Sequence, residues 1–549
     1  MSKSLSFLAV FSVFLIFSSC GKHKNQNEKR TVFKYNESAG ISSLDPAFAK
    51  DQSNIWAINQ IYNGLVQLDD SLNIKACIAK SWVISDSGIT YTFTLRKDVY
   101  FHDLEMFKNV KRRVVASDFV YSFNRILDEK VASPGAWVLN NVKKTTNRFE
   151  FNALNDTTLI INLNEPFPPF LGLLSMQYCS VVPREVVEFY GKDFRKHPVG
   201  TGPFKLKLWK EDVKLVLTKN ENYFEFDGKT RLPYLDAVSI SFIKDKQSAF
   251  LEFIKGNLDY LWGIDPSYKD ELLTPSGKMN PKYASKVKML ANPYLNTEYL
   301  GFLVDENLPI VKKSPTRLKL IRQAINMGID RRKMIKYLRN NVGTPGVSGI
   351  VPVGIPSFDS SIVKGYEYSP LISKALLTEA GFPNGNGLPP ITLSTTATYL
   401  DLCKFIQQQL NEIGFQIKID VNPPASLRSM IAKSEVTFFR GSWIADYPDA
   451  ENYLSLFYSK NFAPKGPNYT HFKNAGYDSL FEKARSEVND SIRFEYYRAM
   501  DKIIVNEAVV IVLYYDKAMR FTQNNILDLG TNPMNLLTLK RVKKKNSLK

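Results

Sequence analysis

Chemistry in a protein starts from titratable and nucleophilic side chains, and in this chain they are scattered. The four histidines (His23, His102, His197, His471) lie far apart, none with a carboxylate or thiol at metal-ligand spacing. After Cys20 come Cys77, Cys179 and Cys403, with no C-x-x-C. An odd count permits at most one internal disulfide, and three buried thiols are the plain expectation. Phosphate-cradling, dinucleotide, nucleophile-elbow and zinc-protease motifs are absent. Asp446 and Asp449 form an acid pair, but that spacing is common by chance. Asp446, just before Tyr447-Pro448, also suits a turn-capping aspartate. No catalytic constellation stands out, so a binding protein without cofactor or bound metal is expected rather than an enzyme.

The N-terminus carries a different chemistry. Lys3 opens a short basic region, Leu5 to Phe17 is apolar apart from Ser6 and Ser12, and Ser18-Ser19-Cys20 follows. The stretch is short for a membrane span and suits a secretory signal over residues 1–19. Phe17-Ser-Ser-Cys20 resembles a bacterial lipoprotein lipobox, with phenylalanine in place of the usual leucine. Small residues before the cysteine admit a peptidase, and the Cys20 thiol can take a diacylglycerol. Several acyl chains, at about 0.8 kcal/mol per buried CH₂, would anchor the protein to a membrane of the bacterial envelope. Residues 20–30 then read as a flexible tether.

The chain has 549 residues, 44% hydrophobic and 23% charged, a globular balance. At roughly 150 residues per domain that suggests three or four domains. Beyond the first 20 residues no long apolar run follows, which excludes a polytopic membrane protein. A net charge of +18 invites a nucleic-acid reading. Half of it falls in Lys22–Arg30 and Lys540–Lys549, which read as solvated tails, so no nucleic-acid groove is expected.

The elements that must hold any site read as mixed α/β. Thr90–Leu95 alternates as a half-buried strand. Ser117–Leu127 carries Phe119, Val120, Phe123 and Ile126 at helical spacing, with Ser117 as N-cap candidate. Arg317–Met327 and Met334–Leu338 are further helix candidates. Tyr399–Ile413, Gly414 and Phe415–Val421 form a helix–glycine–strand unit. Val142–Asn155, rich in Lys, Thr and Asn, suggests an added hairpin.

A series of short segments, in one order from about Leu44 to Tyr515, resembles the family 5 extracellular solute-binding proteins, the peptide-binding subunits of ABC importers. They include Leu44-Asp-Pro46, Ile61-Tyr-Asn-Gly-Leu-Val66, Ile78-Ala-Lys-Ser-Trp82, Tyr91-Thr-Phe-Thr-Leu-Arg96, Ala116-Ser-Asp-Phe-Val-Tyr-Ser-Phe123, Pro198-Val-Gly-Thr-Gly-Pro-Phe204, Arg322-Gln-Ala-Ile-Asn-Met-Gly-Ile-Asp330 and Trp443-Ile-Ala-Asp-Tyr-Pro-Asp449. Asn63 replaces a common glutamate, Leu104 replaces a glycine, and the segment from Glu105 to Arg113 looks extended.

The resemblance implies an α/β, periplasmic-binding-protein-like (type II) fold: two lobes around a ligand cleft, joined by a hinge, with an additional domain. It implies lobe I from 31–75, 196–290 and 512–540, the additional domain from 76–195, lobe II from 291–511 and a basic tail at 541–549. In peptide-binding relatives the acid matching Asp446 receives the ligand's α-ammonium. The arginine matching Arg440 meets a short peptide's carboxylate in some. Gly441, Ser442 and Trp443 would supply a strand for the ligand backbone, with Trp443 walling a side-chain pocket or joining the core. Lys50–Asn54, with Gln52 and Ser53, would supply a second strand. The implied partners are a peptide ligand, an ABC permease and, through Cys20, the membrane; the implied state is a monomer. A metal chelate, haem or oligosaccharide as ligand, or a surface sensor or adhesin without transport, remain alternatives on the same fold.

Overall fold

The computed structural model describes residues 30–108, 110–146 and 148–545. The signal, Cys20 and most of the tether lie outside the described residues.

Two strands of unusual length, Val287–Phe302 and Val510–Gln523, pair antiparallel along most of their length. They carry one large sheet through both lobes. Toward lobe I the order continues through Tyr260–Trp262, Val32–Asn36, Ala237–Ser241, Lys214–Lys219 and Phe204–Lys210. Toward lobe II it continues through Phe438–Ile444, Ile391–Thr395 and Ile417–Val421. The register slips between Pro293 and Thr297 and again between Glu298 and Tyr299.

The lobe II strands are apolar at consecutive positions because both faces are covered. Tyr299, Phe439 and Val512 point into one core, while Leu300, Phe438 and Ile511 point into another. That explains runs such as Phe438-Phe439, which show no alternation in the sequence.

A four-stranded antiparallel sheet builds the additional domain, in the order Ala79–Ile84, Thr90–Leu95, Thr158–Asn162, Phe151–Asn155. The helix Ala116–Leu127 lays Phe119, Phe123 and Ile126 against it, with Phe123 and Phe151 ring centroids 5.3 Å apart. The strand Thr90–Leu95 has the bounds expected from its alternation. Ser117 is not the N-cap. The helix starts one residue earlier, and Asp118 accepts the Val115 N–H at 2.9 Å, so the cap comes from inside the first turn. Within the expected hairpin segment Lys144 bridges Phe149 antiparallel, with the Glu150 N–H donating to the Lys143 carbonyl at 2.8 Å, and Phe151–Asn155 then turns into Thr158–Asn162.

The helix Leu400–Asn411 ends before Gly414, whose φ of +121° needs glycine, and the strand Ile417–Val421 follows. Gly202, in the Gly-Thr-Gly-Pro turn, serves a close crossing: a Cβ there would lie 2.4 Å from the Ile61 carbonyl carbon. Cys77, Cys179 and Cys403 are all buried and unpaired.

The solvated basic tail requires correction up to Lys545. Lys540 pairs with Glu225 at 2.7 Å, Arg541 with Asp227 at 3.1 Å, Lys543 with Asp528 at 3.0 Å and Lys544 with Asp259 at 2.8 Å. Lys543–Lys544 also adds a short strand to Ile526–Leu527. Four of the five charges in 540–545 are thus met by acids from other segments.

Candidate functional site

Three parts of the fold meet around a cavity of about 430 Å³. Lobe I contributes Lys50, Gln52 and Trp56. The additional domain contributes Trp137, Gln177 and Tyr178. Lobe II contributes Ile444 to Pro448, and Tyr294 comes from the hinge strand. Tyr294 also lines a second cavity of about 630 Å³, whose polar wall includes Glu37, Lys246, Asp265, Arg339, Asp516 and Lys517. Tyr294 therefore stands at the junction of two chambers in one cleft.

Contacts between the additional domain and lobe II flank the first chamber. The Arg485 guanidinium lies 3.0 Å from Glu165 and donates to Asn141 at 3.3 Å. The rings of Trp137 and Tyr447 stand 6.2 Å apart.

Asp446 stands two residues past the end of the strand Phe438–Ile444, and its position is set by Asn452 in the short helix Glu451–Leu454. The Asn452 side-chain oxygen accepts the Asp446 N–H at 3.1 Å and the Trp443 indole N–H at 2.9 Å, while its amide donates to the Asp446 carboxylate at 3.4 Å. Among the described residues Asp446 has no ion-pair partner within salt-bridge distance. Asp446 is exposed to solvent, yet the protein packed around it strips enough water to hold its pKa above the ordinary aspartate value. Burial and the charges of Asp446 and Asp51 push the Tyr178 phenol up to about 12, which places both acids near that ring.

The other acid of the pair has a different fate. Asp449 turns away, lies 3.7 Å from Arg493 and accepts the Glu451 N–H at 2.9 Å.

Several expected site residues stand elsewhere. Gln52 and Lys50 line the first chamber, but they do not form a strand. The helix Gln52–Ile61 begins there with Asp51 as its N-cap, so Gln52 and Ser53 occupy its first turn and Ser53 is buried. Trp443 packs against the lobe II core and donates to Asn452; it lines neither chamber. Gly441 keeps clear of Tyr299, because a Cβ there would lie 2.7 Å from the ring. Arg440 is not open to the cleft. It is ion-paired with Glu298 inside its own lobe and stacked on Tyr399, and it lines neither chamber.

The strand does retain a free edge. Gly441–Ile444 pairs on one side with Asn296–Tyr299. On the other side, among the described residues, its neighbour Ile391–Thr395 bridges it only at Phe439. Sequence reasoning missed Asn452, Tyr294, Trp137 and Tyr178. Only their convergence in space marks them, since they come from four separate segments.

Two more carboxyls lie buried behind the site. Burial pushes Glu451 and Asp501 each up to about 7, although Glu451 accepts the Tyr447 hydroxyl and Asp501 accepts the Ile350 N–H at 2.7 Å. Their unfolded values are near ~4. The protonated forms therefore stabilise the fold, fully below ~4, and that contribution is lost as pH rises through about 7. Denaturant midpoints are expected to be higher at pH 6 than at pH 8, and Glu451→Gln should shrink the difference. Equal midpoints at both pH values would contradict this assignment.

No group of histidine, cysteine and acidic residues among the described residues could hold a metal ion. No helix among them is long and apolar enough to cross a membrane.

Residues 73–465 match the model of the bacterial extracellular solute-binding proteins, family 5 Middle. The chain is 26% identical over 501 residues to the glutathione-binding protein GsiB of Escherichia coli K12, covering 90% of this chain and 91% of that one. It is similar to the Helicobacter pylori ABC transporter-associated periplasmic binding protein DppA in complex with the peptide STSA. That match has 27% identity and a TM-score of 0.74, covering 94% of this chain and 99% of the other. HbpA2 from Haemophilus parasuis shares the fold with a TM-score of 0.80 at 21% identity, covering 94% and 100%.

Proposed function

The chain belongs to the family 5 bacterial extracellular solute-binding proteins, with the type II periplasmic-binding-protein fold, and from that premise we propose that it captures short peptides between its lobes and delivers them to an ABC permease. The observation that carries this reading is Asp446: a carboxylate at the wall of a three-sided cavity, held by Asn452, with no cation of its own among the described residues. A free ammonium enclosed in that cavity would lose water and needs an opposite charge. At about 4 Å and an effective dielectric of 20 the attraction is roughly 4 kcal/mol before desolvation.

The free edge of Gly441–Ile444 offers main-chain donors and acceptors to an extended ligand, which such a strand would bind without reading side chains. Trp56, Trp137 and Tyr178 give the first chamber broad rings, suited to varied side chains with water filling the remainder. The peptide in the Helicobacter relative and the glutathione in the name of the other support a peptidic ligand. The relatives are binding proteins, which points away from catalysis.

Closure is a hinge motion about the two long strands, and it presents both lobes to the permease. The protein works as a monomer in the bacterial cell envelope, held by lipid on Cys20. Mass spectrometry of the membrane fraction should find a diacylated Cys20 at the new N-terminus, and Cys20→Ser should release the protein.

Calorimetry with di- to pentapeptides, each free and N-acetylated, tests the ligand reading. Acetylation should weaken binding at least a hundred-fold. If the acetylated peptides bind as tightly as the free ones, the ammonium role of Asp446 is wrong.

A further inference from the structure

Arg339 lines the second chamber, Arg440 belongs to the same hydrogen-bonded row without lining it, and both are already committed. Arg440 is ion-paired with Glu298, and their side chains are 12% and 3% exposed. Its guanidinium lies 3.2 Å from the Tyr399 ring centroid, so the ring covers one of its faces. Arg339 pairs with Asp516 at 2.6 Å and stacks on Tyr514 at 4.2 Å. Asn296 joins the two pairs, donating to Glu298 and to Asp516 at 3.3 Å each. The result is an unbroken row, Arg440, Glu298, Asn296, Asp516, Arg339, with two cations, two anions and no net charge. It crosses the hinge strands beside the register slip.

A ligand carboxylate arriving at Arg440 would have to displace Glu298. The guanidinium would exchange one carboxylate for another, and the displaced one, almost wholly buried, would be left without a partner. The remaining cations of the second chamber are lysines. Lys246 already pairs with Asp265 at 3.0 Å, Lys244 is exposed, and Lys517 is half-buried with no ion pair among the described residues. A lysine ammonium is a strongly hydrated point charge without the planar fork that holds a carboxylate bidentately, so these amines replace Arg440 poorly and discriminate by only about a few-fold.

We propose that Glu298 is a specificity-determining residue: by occupying Arg440 it leaves the carboxyl end of the ligand unread, so that peptides are selected through their amino end alone. This rests on the peptide reading of the Asp446 site. Peptides whose carboxyl end is amidated, or extended by further residues, then belong to the ligand class on equal terms with free acids.

Calorimetry on the full mature protein with tri-alanine, tri-alanine amide and N-acetyl-tri-alanine separates the two levels. The amide should bind within about three-fold of the free acid, while acetylation should cost at least a hundred-fold. If the amide loses ten-fold or more and acetylation still weakens binding at least a hundred-fold, the inference about Glu298 is overturned and the peptide reading stands. If acetylation has no effect, or none of the three binds, the peptide reading fails and the inference with it. Glu298→Gln keeps the shape and frees Arg440. It should make the free acid bind at least ten-fold tighter than the amide, and an unchanged ratio in a folded variant would count against the proposal.

Discussion

Replacing Asp446 by asparagine is expected to cost about 2–5 kcal/mol of ligand affinity, the range for removing one partner of a buried charge pair. That is roughly thirty-fold to several thousand-fold in Kd. Asparagine keeps the shape and the contact with Asn452, so the loss reports the charge. The loss should vanish for an N-acetylated peptide, because that ligand has no ammonium to meet.

The unliganded variant should be at least as stable as the parent. Desolvation raises the Asp446 pKa, so near neutral pH its ionised form works against the fold, and the neutral amide removes that cost. Affinity of the parent should also fall with acid, starting above the ~3.9 of an ordinary aspartate, since binding needs the ionised form. Calorimetry and thermal melts check both halves. Binding of the variant within three-fold of the parent would rule out the charge role.

Arg520→Met should destabilise the whole protein by about 3–5 kcal/mol, the range for stripping the partner from buried polar groups. Arg520 is fully buried and has no carboxylate within salt-bridge distance among the described residues. It donates instead to the Asn535 side chain at 2.9 Å and to the carbonyls of Gly530 and Leu536 at 2.7 and 2.9 Å. Methionine fills much of the volume and leaves those acceptors buried without a donor. The segment it ties down carries Met534 and Leu536, which line the first chamber, so ligand affinity should fall as well. Urea denaturation measures the first effect, and a midpoint unchanged from the parent would show that the acceptors find other partners.

The tie between Arg520 and the last segment shows where sequence reading stops. Nothing local to Arg520 distinguishes it from a surface arginine. It is buried because carbonyls ten to sixteen residues later fold back over it. The same holds for Arg440. Its type and its spacing from Asp446 suggest a ligand contact, but Glu298 lies on a neighbouring strand 142 positions away. The basic run 540–545 reads as solvated until four distant acids meet it.

The amino-acid sequence by itself determined the elements with strong local causes: the alternating strand Thr90–Leu95, the apolar spacing of the helix that carries Phe119 and Phe123, and the stop at Gly414. Those follow from side-chain period and backbone freedom, which act over a few residues. The tertiary structure alone decided which charges are paired and which stand open to a ligand, because that depends on partners brought together by the sheet register. Asp446 is left open by that register and Arg440 is closed by it, although the two lie six residues apart.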